Sequence, residues 1–60
     1  MEVEIRFKGD QYRQPISCHL DHLPDVDDSI IVDDAAIPYP YKVESRIFYL
    51  KKNKVTLFVK

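Results

Sequence analysis

The sequence predicts a small all-β domain, barrel-like and ending in a β-hairpin. Two observations give the class: apolar residues alternate with polar ones over most of the chain, and no segment carries a helical period of useful length. A third gives the shape: five short extended runs in an open sheet would leave its edge strands exposed, and closure into a barrel removes them.

The first run, Glu2 to Lys8, alternates strictly. Val3, Ile5 and Phe7 fall on one face and Glu2, Glu4, Arg6 and Lys8 on the other, a half-buried strand. Gly9-Asp10 then supplies turn chemistry. After Pro15, Ile16, Cys18 and Leu20 alternate with Ser17 and His19, which reads as a strand at the sheet edge because of the proline. Leu23-Pro24-Asp25 breaks the pattern. A β-branched run follows, with Ile30 and Val32 inward and Ile31 outward. Asp33 or Asp34 is placed to cap a single helical turn before Pro38.

The C-terminal third reads as two strands around the polar turn Lys51 to Asn53. A three-residue loop pairs Leu50 with Lys54 and puts Asn53 where a left-handed conformation is needed. Tyr49 then opposes Val55, Ile47 opposes Leu57 and Ser45 opposes Val59, so that Tyr41, Val43, Ile47 and Tyr49 join the apolar face of the last strand. The expectation is a five-stranded barrel of the SH3-like or OB-like kind, one domain over residues 1–60, expected to be a whole small gene product.

Size and charge narrow the function. Sixty residues bury only about 60% of their unfolded surface, which makes stability marginal at about 3–5 kcal/mol and leaves no room for a deep substrate cavity. One cysteine cannot close an intrachain disulfide. Together with the charged, alternating N-terminus and the absence of a long apolar run, that points to a cytoplasmic protein with no membrane segment. Charge is bipolar: residues 14–41 hold six acids and no Lys or Arg, whereas residues 42–60 hold six bases against Glu44.

The stretch Cys18 to Asp28, "CHLDHLPDVDD", gathers the only cysteine, both histidines and four aspartates. Zinc is not expected there, because adjacent residues on a strand point to opposite faces and Cys18 goes inward, away from His19 and His22. Calcium fares no better. Placing Asp25 first in a loop puts Asp27 third and Ser29 fifth, but Ile30 occupies the sixth position that needs glycine and Ala36 the twelfth that needs glutamate. Ser17, Cys18 and His19 are contiguous where a nucleophile and its base must converge, and the acids lack the apolar surroundings that raise a carboxyl pKa. No glycine-rich loop is present to cradle a phosphate. "PYPY" lacks the P-x-x-P spacing of a polyproline ligand and reads as a rigid loop. No cofactor, metal or catalytic residue is expected.

The expected site is the outward face of the hairpin. In the three-residue register Phe48, Leu50 and Phe58 project away from the core with Ile31, rimmed by Arg46 and Lys42. Several large apolar residues together on so small a chain mark a protein interface, which also allows a C2 homodimer. A non-catalytic protein-binding module is therefore expected, of the size of an accessory or inhibitory factor from a bacterium or phage. The rival is a single-strand nucleic-acid binder that uses the same lysines and aromatics, against which the slightly acidic net charge of −1 counts.

Overall fold

The computed structural model describes residues 1–10, 12–32 and 39–60. The chain folds as one curled, mixed sheet of five strands: β1 (Glu2–Phe7), β2 (Ile16–His19), β3 (Ser29–Ile31), β4 (Pro40–Tyr49) and β5 (Lys54–Val59), in the spatial order β2-β1-β5-β4-β3. Among the described residues there is no α-helix; a single 3₁₀ turn, Leu50–Lys52, joins β4 to β5. The expected all-β class with five strands is what the chain adopts. The expected helical turn near Asp33 and Asp34 lies outside the described residues.

β1 and β5 run parallel at the centre, with Val3 beside Val55, Ile5 beside Leu57 and Phe7 beside Val59. Two alternating strands in that register put six apolar side chains on one face, and with Val43 these form the buried core. Ile16, Cys18, Leu20, Leu23, Ile30, Val32 and Tyr41 pack around it. The connection from β2 to β3 passes from one outer strand to the other, and Leu20 and Leu23 cover the core on the way. Arg13 closes one end: its guanidinium lies 4.2 Å from the centre of the Phe7 ring and donates to the Tyr41 hydroxyl at 2.8 Å.

The β4–β5 register departs from the sequence expectation by one residue. Tyr49 pairs with Lys54, Phe48 with Val55, Ile47 with Thr56 and Arg46 with Leu57. The connection is thus Leu50 to Asn53 rather than Lys51 to Asn53. Asn53 does take the left-handed conformation expected of it (φ 50, ψ 48), which Asn tolerates better than most residues. An irregularity between Val43 and Ser45 then shifts the register back, so Val43 lies opposite Val59. The bulge splits β4 into two halves of opposite parity. Before it, Tyr41 and Val43 face the core as expected. After it, Ile47 and Tyr49 turn to the outer face with Thr56 and Lys54, while Arg46 and Phe48 turn to the inner one.

Candidate functional site

The halves of β4 also differ at their edge. Pro40, Tyr41 and Lys42 pair with β3, and Val43 is held by the acidic turn that precedes it: Asp27 N–H donates to the Val43 carbonyl at 2.8 Å, and Val43 N–H donates to the Asp28 carbonyl at 2.9 Å. That turn is tight, with Asp27 at φ 76 and the Asp28 carboxylate accepting from Asp25 N–H at 2.8 Å. Beyond Val43 the cover ends. Among the described residues no strand or backbone group pairs with Ser45–Tyr49 on the side away from β5. Only a side chain reaches back: Arg46 Nη1 lies 3.3 Å from Asp25 Oδ1 and 3.4 Å from the Pro24 carbonyl.

The open half carries most of the exposed apolar surface. Ile47, Phe48 and Tyr49 are each more than two-fifths exposed, and Leu50 is 88% exposed. Phe48, Tyr49 and Leu50 share a shallow hollow with Met1 and Val55 at the end of the sheet. Arg46 lies 5.5 Å from the Phe48 ring, and Lys51 and Lys52 stand exposed on the turn with no ion pair among the described residues. On the outer face, Arg6 Nε donates to Glu4 Oε1 at 2.7 Å and Lys54 Nζ lies 3.7 Å from Glu4 Oε2. The Arg6 hydrogen bond, more than the nearby charges, holds the Glu4 carboxyl below its ordinary pKa.

The residues expected to form one outward patch are placed in three locations. Phe48 shares the inner face with Arg46 and Val55, because of the one-residue slip. Phe58 lies on the outer face between Arg6 and Ser45 and is half-buried. Leu50 belongs to the turn and joins Phe48 at the end of the sheet. Lys42 is exposed opposite Ser29, and Ile31, 60% exposed, lies at the far end of β4 opposite Pro40. Sequence reasoning missed Met1, Ile47 and Tyr49. Four successive apolar residues from Ile47 to Leu50 were the available sign, since no strand buries both of its faces at an open edge.

The remaining clefts have simpler accounts. An open aromatic cleft of about 370 Å³ is lined by Phe7, Tyr39 and Tyr41, where the chain's own Arg13 already supplies the cation. Among the described residues no group of three or more His, Cys, Asp or Glu is close enough to hold a metal. Cys18 is half-buried against the core, while His19 is exposed and its Nε2 lies 3.1 Å from the Met1 amino group. No helix among the described residues is long and apolar enough to cross a membrane. Comparison with protein-family models, curated proteins and solved structures found no match to this chain.

Proposed function

We propose that this chain is a non-catalytic protein-binding module of the cytoplasm, with its contact surface on the distal half of β4 and the turn after it. The observation that carries the reading is the run Ile47 to Leu50, exposed on both faces of a strand whose edge is open. Apolar side chains in such a group lose hydration when covered, and unpaired backbone groups beside them supply direction. Phe48 and Leu50 are the anchors, Arg46 lies beside them, and Lys51 and Lys52 stand at the rim. Lys42 and Ile31 lie away from this surface, whereas half-buried Phe58 borders its outer face in the groove it shares with Tyr49 and Lys52. The barrel-like view of the scaffold belongs with the same proposal. β2 and β3, the outer strands, both line an apolar cleft with Ile5, Cys18 and Ile30. The two edges of the curled sheet face each other there, which supports reading it as an SH3-like or OB-like barrel left open on one side.

Affinity capture from host-cell lysate, run with the parent chain and with Leu50→Asp and Phe48→Ala, tests the reading. A protein retained by the parent and lost from Leu50→Asp is the expected result. Identical captured sets from all three would overturn it. The nucleic-acid alternative draws on the aromatics and lysines at the same end. Against it, two of the cations lining the outer groove with Tyr49, Arg6 and Lys54, are already engaged by Glu4. Single-strand oligonucleotide binding at low salt that falls steeply as salt rises would favour that alternative.

A further inference from the structure

We propose that the open edge of β4 is a self-association edge, on which a second copy of this chain lays its own β4 antiparallel about a two-fold axis. The inference rests on the protein-binding reading of this half-strand and names its occupant. The edge has two fixed ends. At one, Val43 is already bonded to Asp27 and Asp28; at the other, the turn that starts at Leu50 bends the chain away. The segment available for pairing is therefore Ser45 to Tyr49, and a symmetrical pairing that uses all of it centres on Ile47.

The charges at those ends select the occupant. Lys51 and Lys52 stand beyond one end without an ion pair among the described residues; beyond the other stand Asp27 and Asp28, with Asp25 already paired to Arg46. A peptide of uniform charge is attracted at one end and repelled at the other. A second copy related by a two-fold axis is not, because its lysine turn meets the first copy's acidic turn at both ends. In that register Tyr49, the last strand residue of one copy, falls opposite Ser45 of the other, two residues from Val43, so the turn carrying Lys51 and Lys52 comes next to the acidic turn that holds Val43. The side chains agree with this register. Ile47 lies beside Ile47 of the second copy on the outer face, Tyr49 beside Ser45, and on the inner face Phe48 lies beside Arg46, a pair already in contact within each chain. Both edges become internal, and the two sheets join into one.

Sedimentation velocity on the pure chain, with hydrogen exchange followed residue by residue, tests the proposal. The expected result is a dimer in which those amides of Ser45–Tyr49 that point away from β5 gain protection as concentration rises. Lys51→Glu with Lys52→Glu, two exposed turn positions, should raise the dissociation constant by about tenfold or more, and adding Asp27→Asn to that pair should recover part of the loss. A chain that stays monomeric at about 1 mM overturns the proposal. So does a dimer that ignores the lysine changes and leaves those amides unprotected. Failure here is separable from failure of the protein-binding reading: a monomer that still captures a protein through Leu50 overturns only the self-association.

Discussion

β4 is one strand with two environments, and the contrast between its halves organises the molecule. Pro40 to Lys42 pair with β3 and Val43 is bonded to the acidic turn, while on the other side Lys42 and Val43 meet Lys60 and Val59; Val43 is fully buried. From Ser45 to Tyr49 it has β5 on one side only, and its apolar side chains face solvent. The first half is held by burial. The second half contributes little to the core and leaves its apolar surface exposed. The bulge at Glu44 is what separates them, because it lets the same strand present one parity to the core and the other to the open end.

The largest effects that test this contrast lie in the covered half and its partners. Leu57→Ala removes a fully buried side chain and should cost about 2–5 kcal/mol, enough to unfold most of a chain of marginal stability, as urea denaturation would register. Leu50→Asp should by contrast shift stability by no more than about 0.5 kcal/mol, since the side chain is almost wholly exposed. A large loss there would mean that the distal end packs in solution and would erase the distinction. Between these limits lies the turn. Asn53→Ala must hold a left-handed backbone without a side chain suited to it and should cost about 1 kcal/mol, with Asn53→Gly close to neutral in the same thermal melts. Arg46→Ala removes the side-chain tie that joins the open half to the acidic turn among the described residues. With Arg46 half-buried and Asp25 largely exposed, loss of the pair should cost about 0.2–1 kcal/mol, measured against Asp25→Asn in a double-mutant cycle.

The smallest effect concerns pH. Glu4 is held below its ordinary pKa in the folded chain by Arg6, so its contribution is present above the unfolded value of about 4.3 and fades as pH falls through the lower folded value. The melting temperature of Glu4→Gln should therefore fall less than the parent's on acidification below about pH 5. Equal falls would show that the Glu4–Arg6 contact does not persist in solution.

How much of this could be read from the sequence follows from where hydrophobicity was one-sided. Val3, Ile5 and Phe7, and Val55, Leu57 and Val59, alternate with polar residues, and all six lie in the core as their spacing required. Ile16 and Cys18 also turned inward while Ser17 and His19 turned outward. The distal half of β4 could not be read in this way. Ile47 to Leu50 are apolar in both parities, so a shift of one residue exchanges one apolar set for another and the pattern leaves the register undetermined. The expectation that Phe48 and Phe58 share an outward face failed for that reason. The bulge was hidden as well, because it depends on Asp27 and Asp28 bonding to Val43 from the opposite side, a contact between segments far apart in the chain. Its local trace was the break in alternation at Glu44-Ser45-Arg46, three successive polar residues within the strand.

The parallel ladder at the centre has a kinetic consequence. It pairs Glu2 with Lys54 and Phe7 with Val59, so the two strands that supply most of the core come from opposite ends of the chain. Their association must bear the closure entropy of the intervening residues 8–53 before any of that burial is gained. β4 and β5, joined by a short turn, can find each other early; β1 cannot. Folding should accordingly be limited by the docking of β1 onto a preformed β4–β5 pair, and a nascent chain on the ribosome has no core until its last strand has emerged.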